Sequence, residues 1–119
     1  MNEVKMIIIM RKDLNMRKGK MVAQGSHAAV SLALYLERLG DHKAYKEWLE
    51  TSFKKICVSV NSEAELLAIL EKGEKVGLHN ILITDAGHTE FGGVPTITCG
   101  AILGYASDLV EVTGELPLL

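Results

Sequence analysis

The chain has 119 residues, of which 48% are apolar and 24% charged, and its net charge is −2. This length and composition predict one globular domain over residues 1–119 and exclude disorder as a description of the whole chain. The two cysteines, Cys57 and Cys99, lie inside apolar runs, so a disulfide scaffold is disfavoured and buried, reduced thiols are expected. No C-x-x-C or H-x-x-x-H pair indicates zinc, and we expect no metal site.

The sequence shows no pattern typical of a membrane or targeting segment. Its longest apolar runs, such as Met6–Met10, are far shorter than the roughly 20 residues of a spanning helix. The first residues lead straight into a strand-like run, without the basic start and long apolar stretch of a signal peptide. We therefore expect a cytoplasmic protein with no membrane segment.

The pattern of apolar residues predicts four strands and four helices. In chain order they are a strand at Val4–Met10, a helix at Lys20–Leu39, a helix at Asp41–Thr51, a strand at Lys55–Val60, a helix that starts at Asn61 or Ser62, a strand at Asn80–Thr84, a strand at Pro95–Leu103 and a short helix at Ala106–Val112. The first strand is apolar from Met6 to Met10 and rich in isoleucine, which is typical of a central strand buried on both faces. Asp41 is expected to cap the second helix. The order β-α-α-β-α-β-β-α predicts a layered α/β domain with a mixed sheet.

Basic residues are concentrated between positions 11 and 20. This stretch has a local excess of +4, which leaves −6 on the rest of the chain, and its basic residues are Arg11, Lys12, Arg17, Lys18 and Lys20. The overall acidity argues against a generic nucleic-acid binder. One concentrated basic loop nevertheless favours an anionic ligand bound at one place. A solvated loop that keeps an edge of the protein soluble explains the charge equally well.

Three polar residues of different kinds share one face of the first predicted helix. Lys20, Gln24 and His27 are spaced i, i+4 and i+7, in a half-helix that is otherwise small and apolar. Each residue alone has an ordinary structural explanation, such as a solvated lysine, an amide bonded to loop backbone or a hydrogen-bonded core histidine. The three together, beside the basic loop, indicate a site.

A second candidate site follows the third predicted strand, which ends at Asp85 and leads into Ala86, Gly87, His88 and Thr89. Ligands of open α/β sheets bind beyond the carboxyl ends of strands, which favours a site here. A simple turn made by Asp85 and Gly87 is an equally good explanation.

Two glycine-containing segments, Phe91–Pro95 and Val112–Gly114, are weaker signals of a site. Their glycines are as typical of turns as of loops that bring backbone N–H groups near a ligand. P-loop, dinucleotide-binding and serine-hydrolase motifs are absent, so the commonest nucleotide and serine-hydrolase functions are excluded.

Several segments, in order and with matching spacing, are similar to a known family. Met10–Lys20 with Ala23–Val30 closely resembles the signature of the type-2 (archaeal and eukaryotic) peptidyl-tRNA hydrolases, and Asp85–Glu90 after a strand resembles a second motif. Val112–Leu116 is similar to the family's terminus. The resemblance covers essentially the whole chain. It implies a three-layer α/β domain, with a four-stranded mixed sheet and helices on both faces.

The resemblance also implies an activity, which is hydrolysis of the ester that joins a peptide to the 3′ end of tRNA. It implies peptidyl-tRNA as the partner, recognised at its acceptor end, together with a homodimer and no metal or organic cofactor. The family's catalytic lysine and aspartate fall on Lys20 and Asp85. We expect Asp85 to orient or deprotonate water, and Lys20 to stabilise negative charge while it keeps Asp85 ionised.

The remaining site residues are expected around this pair. Thr89 is expected to offer a hydroxyl to water or to the oxyanion. The other expected site residues are Gln24, His27 and His88 in the lining of the substrate site, and Lys12, Arg17 and Lys18 against the phosphates of tRNA.

The sequence departs from the family pattern near the second motif. His88 stands where the family commonly has arginine, and Phe91–Pro95 stands where a Pro-Gly segment is common. Two alternative functions therefore stay open, which are a non-catalytic RNA- or protein-binding domain of the same fold and a hydrolase of another ester or N-acyl substrate. The presence of Lys20 and Asp85 favours an enzyme.

Overall fold

A computed structural model describes residues 2–119 of the chain. The predicted elements are all present and in the predicted order. They are β1 (Val4–Arg11), α1 (Lys18–Leu39), α2 (Lys43–Glu50), β2 (Lys54–Val60), α3 (Glu63–Lys75), β3 (Asn80–Asp85), β4 (Thr96–Tyr105) and α4 (Ala106–Thr113). Among these described residues, no helix is both long enough and apolar enough to cross a bilayer.

The four strands form one mixed sheet in the order β2-β1-β4-β3. Strand β1 is parallel to β2, and β4 is antiparallel to both β1 and β3. The apolar strand β1 is therefore central, as its sequence predicts. Strand β3, which ends at Asp85, lies at one edge of the sheet, and β2 lies at the other.

Helices cover both faces of the sheet, which confirms the expected three-layer α/β fold. Side chains alternate along β1, so that Met6 and Met10 pack on the face covered by α1 and α2, whereas Ile7 and Ile9 pack under α3 and α4. All four side chains are buried. A strand with two buried faces must be apolar at its buried positions, which explains the apolar run Met6–Met10 within β1.

Two expectations about local structure are wrong. Helix α2 is capped by His42 instead of Asp41, because Asp41 has a φ of 40° and therefore does not have the extended conformation of an N-cap. Of the two cysteines, Cys99 is buried as expected, whereas Cys57 on edge strand β2 is only half-buried. Neither is in a disulfide.

The outer edge of β2 is covered by the C-terminal residues of the chain. Leu118 forms an antiparallel bridge with Val58. The backbone N–H of Ser59 donates to the carbonyl oxygen of Pro117 at 2.9 Å, and that of Leu119 donates to Cys57 at 3.1 Å. This edge is therefore already paired within the chain.

The His42 cap predicts that stability depends on pH. Its Nδ1 accepts a hydrogen bond from the Tyr45 backbone N–H at 3.1 Å. Burial, followed by the nearby His79, lowers the pKa of His42 below its ordinary 6.5. The folded state therefore favours the neutral ring. The stability that this cap contributes is complete above the ordinary pKa and is lost as the pH falls through the lowered pKa of His42.

We expect the chain to lose stability, on the order of 1 kcal/mol from this cap, between about pH 7.5 and about pH 5. Urea denaturation of wild type and His42→Asn at both pH values measures this, since asparagine also caps helices but does not titrate. Between the two pH values, His42→Asn should lose less free energy of unfolding than wild type. Equal losses in the two proteins would contradict the role of His42.

Candidate active site

The first half of α1 and the carboxyl end of β3 come together above the sheet. Lys20 and Gln24, one helical turn apart, point from α1 toward Asp85. The Nζ atom of Lys20 lies 2.9 Å from Oδ1 of Asp85, and the two side chains are only 13% and 14% exposed. Two motifs separated by more than sixty residues therefore meet in a partly buried ion pair.

Three hydrogen bonds hold the carboxylate of Asp85. Its Oδ1 accepts from Lys20 Nζ at 2.9 Å and from Gln24 Nε2 at 3.3 Å. Its Oδ2 accepts from the backbone N–H of Gly87 at 2.8 Å. The hydrogen bond from Lys20, supported by those from Gly87 and Gln24, lowers the pKa of Asp85 below its ordinary 3.8. The carboxylate is therefore ionised at neutral pH.

Lys20 also binds the loop that follows β3. Its Nζ donates to Oγ1 of Thr89 at 2.6 Å and lies 5.8 Å from the centre of the Phe91 ring. An ammonium group has three donors, and two are used by Asp85 and Thr89. Since the Thr89 hydroxyl accepts here, its own hydrogen remains available. One N–H of Lys20 and the O–H of Thr89 are thus free to bind a substrate oxygen.

A buried threonine fixes the orientation of Gln24. The hydroxyl of Thr98, on β4, donates to Oε1 of Gln24 at 2.6 Å. Gln24 is 2% exposed and Thr98 is 0% exposed. With its oxygen held by Thr98, the amide must turn its NH₂ group toward Asp85. Local sequence patterns do not single out Thr98, because a threonine inside an apolar strand carries no signal of its own.

The loop from Asp85 to Val94 depends on one glycine. Gly87 has a φ of 87°, and a Cβ atom there would lie 2.2 Å from the carbonyl oxygen of Val94. The two sides of the loop are joined by a hydrogen bond of 2.8 Å from the Gly93 N–H to the Gly87 oxygen. Only glycine fits this close approach. The motif is therefore both a turn and part of the candidate site.

Other sequence-predicted residues lie at the margin of this cluster. His27 is exposed and borders a trough that also contains Gln24 and Asp85. His88 is exposed on the loop and makes no hydrogen bond to a described side chain. The segment Val112–Gly114 ends α4 on the opposite face of the sheet, where Val112 belongs to the core. That segment contributes nothing to the site.

The basic stretch divides into one largely buried residue and three exposed ones. Arg11 is largely buried and bonds to Asp13 at 2.7 Å and to the carbonyl oxygen of Ile97 at 2.9 Å. Lys12, Arg17 and Lys18 are exposed near the start of α1.

Arg17, although its side chain is 89% exposed, lies 3.5 Å from Glu90, on the same loop as Thr89. The exposed basic residues and the Lys20–Asp85 pair therefore share one end of α1. Over residues 2–119, no three histidine, cysteine or acidic side chains come together as metal ligands.

Sequence comparison identifies the family of this chain. A family model described as peptidyl-tRNA hydrolase PTH2 matches residues 4–119. The chain belongs to this family. A peptidyl-tRNA hydrolase of Methanocaldococcus jannaschii is 43% identical over 98% of this chain and 100% of its own length. One from Metallosphaera sedula is 39% identical over the same shares, 98% and 100%. The family resemblance of the sequence motifs is confirmed.

A solved structure also shares the fold of this peptidyl-tRNA hydrolase family member. It is a protein of unknown function from Agrobacterium tumefaciens, with a TM-score of 0.64 over 100% of this chain and 99% of that one. The two sequences are only 8% identical. The likeness therefore concerns the fold alone.

The bond between Thr98 and Gln24 predicts a specific cost of mutation. In Thr98→Val the side chain keeps its shape, but the buried Oε1 atom of Gln24 loses its hydrogen-bond donor. This loss lowers the free energy of unfolding by about 1–3 kcal/mol. Thermal or urea denaturation measures this loss. Thr96→Val, on the same strand, removes a hydroxyl that bonds only to an exposed backbone oxygen, and it should cost less. Equal stability of Thr98→Val and wild type would show that the bond does not hold the amide.

Proposed function

We propose that this chain is an enzyme that hydrolyses the ester between the peptide and the 3′ end of tRNA in peptidyl-tRNA, releasing free tRNA and peptide. The observation that carries the proposal is the contact of Lys20 with both Asp85 and Thr89, in a member of the peptidyl-tRNA hydrolase family. These contacts leave one acceptor position on Asp85, one N–H of Lys20 and the O–H of Thr89 free, and ester hydrolysis requires groups of these kinds.

Asp85 holds the attacking water. A carboxylate has about four acceptor positions, and three are used by Lys20, Gln24 and Gly87. The remaining position, on Oδ2, accepts a hydrogen from water and aims the water oxygen at the ester carbonyl. Because its pKa is lowered, Asp85 is a weak base. It takes the proton only as the new C–O bond makes the water acidic.

Lys20 and Thr89 stabilise the oxyanion that forms when water attacks. The carbonyl π electrons move to oxygen, where the free N–H of Lys20 and the O–H of Thr89 bind the developing charge. The bond from the carbonyl carbon to the ribose oxygen then breaks, and the ribose oxygen takes up the proton that water released. Water is the nucleophile, and no covalent enzyme intermediate forms.

Lys12, Arg17 and Lys18 bind phosphates of the tRNA acceptor end. They are exposed at the start of α1, and Arg17 is linked through Glu90 to the loop that holds Thr89. His88 extends from the same loop as a further contact. Phosphates bound there place the ester near Asp85.

The chain acts in the cytoplasm as a homodimer. The two free thiols suit a reducing compartment. An apolar pocket of about 630 Å³ lies between α1 and β2, on the flank of α1 away from Asp85, and Val22 at its rim is 69% exposed. Phe53, beside an adjoining pocket, is 54% exposed. A second copy of the chain covers this flank, since exposed apolar side chains that cluster beside apolar pockets are typical of interfaces.

Release of peptide from N-blocked aminoacyl-tRNA, in the presence of a chelator, tests the activity. Wild type should turn over, and Asp85→Asn or Lys20→Met should lose on the order of 10²- to 10⁴-fold in kcat/KM. Asp108→Asn, an exposed carboxylate on α4, is the matched control and should behave as wild type. Thermal denaturation verifies that the variants fold.

No turnover by folded wild type would overturn the proposal and favour a binding domain. Near-normal turnover by Asp85→Asn or Lys20→Met would remove that residue from the mechanism. Turnover of simple esters in preference to peptidyl-tRNA would indicate a hydrolase of another substrate.

Phosphate contacts by the basic residues predict that tRNA binding weakens steeply with salt. Each contact contributes roughly 0.7–0.9 to the slope of log Kd against log salt concentration. Lys12→Gln and Arg17→Gln, each combined with Asp85→Asn to keep the substrate intact, should each lower that slope by about one contact. Lys72→Gln, exposed on α3 across the sheet, should leave it unchanged. A salt-independent Kd would contradict this tRNA site.

A further inference from the structure

We propose that the peptide part of the substrate binds as an extended strand along the free edge of β3, in the trough between this edge and α1. The inference rests on the proposed function and deepens it, because it names where the peptide lies and how it is recognised. A continuous trough that begins at the catalytic carboxylate is the observation behind it.

The trough has a volume of about 450 Å³ and one end at Asp85. The wall formed by α1 consists of Gln24, His27 and Ser31, and the opposite wall consists of Leu82–Asp85 of β3 with Ala86, the residue that follows the strand. Gln24 and Asp85 already belong to the catalytic cluster. A substrate whose ester lies at Asp85 therefore has its acyl side at the mouth of this trough.

The edge of β3 is the one that the chain leaves free. Strand β3 pairs only with β4. No described backbone group of residues 80–85 bonds to a loop or to the C-terminus. The opposite edge, on β2, is paired with Leu118. A free edge presents N–H and C=O groups to which an extended peptide can add as a further strand.

The geometry also gives the direction of the peptide. Strand β3 runs toward Asp85, and the peptide is joined to tRNA through its C-terminal carbonyl, which lies at Asp85. The peptide therefore runs parallel to β3, with its N-terminus toward Asn80. The six residues of β3 span roughly 20 Å at about 3.3 Å each, enough for about five or six peptide residues. The tRNA leaves in the opposite direction, toward Arg17.

Recognition through the main chain suits the chemistry of this trough. Apart from His27, Asp85 is the only titratable residue in its lining, so the trough does not select the charge of peptide side chains. Backbone hydrogen bonds are the same for every peptide sequence. An enzyme that recognises peptides in this way gains affinity from peptide length and discriminates little among sequences.

The test compares kcat/KM for tRNA carrying acetyl-alanine with that for tRNA carrying acetyl-penta-alanine. Wild type should favour the longer peptide by about tenfold, which corresponds to one or two net hydrogen bonds. N-methylation of the second and third alanine nitrogens from the ester should abolish most of this gain, because it removes main-chain donors.

A substitution that fills the trough tests whether the increase in kcat/KM with peptide length arises there. Ser31→Tyr places a large side chain in the trough one helical turn beyond His27, and it should bring the ratio of the two kcat/KM values close to one. Ser31→Ala keeps the trough open and should retain the ratio. Arg38→Tyr adds the same aromatic side chain about two turns further along α1, outside the lining, and should behave as wild type.

Failure of wild type on both substrates would overturn the proposed function and this inference with it. Turnover of both substrates with no gain from length would overturn the inference alone. So would a gain that survives N-methylation, or one that Ser31→Tyr retains. If Ser31→Tyr does not fold, the N-methylated substrates still decide the matter with wild-type protein.

Discussion

The ion pair between Lys20 and Asp85 joins the two parts of the molecule on which the candidate site depends. It connects the first half of α1 to the carboxyl end of an edge strand, and both side chains are largely removed from water. Ion pairs in such surroundings are maintained only when their remaining donors and acceptors are also satisfied. Gln24, Gly87 and Thr89 provide those contacts. The fold therefore has to bring a helix, a strand end and a glycine turn to one place.

This arrangement fixes the charges before substrate arrives. The carboxylate is held on both oxygens, and Gln24 cannot rotate because Thr98 holds its carbonyl oxygen inside the protein. Groups that are already oriented need not reorganise when charge develops on the substrate, which is the main source of electrostatic catalysis. The one free N–H of Lys20 and the free O–H of Thr89 then define where the oxyanion forms. The surrounding packing serves to keep these two donors in position.

Local patterns in the sequence predict much of this structure. The remaining features depend on how distant segments pack together and on local backbone conformation, which these patterns do not encode. The apolar run of β1 predicts a central strand, and helical spacing places Lys20 and Gln24 on one face. The Thr98–Gln24 bond is not predictable in this way, because it depends on which strand lies beneath α1. The cap at His42 instead of Asp41 depends on the backbone φ angle of one residue, Asp41. Likewise, the free edge of β3 follows from strand order, which local patterns do not encode.

Measuring the pKa of the Asp85 carboxyl tests most directly whether Lys20 and its partners keep Asp85 ionised and oriented. NMR titration of ¹³C-labelled aspartates in wild type and in Lys20→Met gives this value. We expect a pKa below the ordinary 3.8 in wild type and a higher one in Lys20→Met, since the largest stabilising hydrogen bond is lost. A wild-type pKa at or above that ordinary value, or one that is unchanged in Lys20→Met, would contradict this role of Lys20.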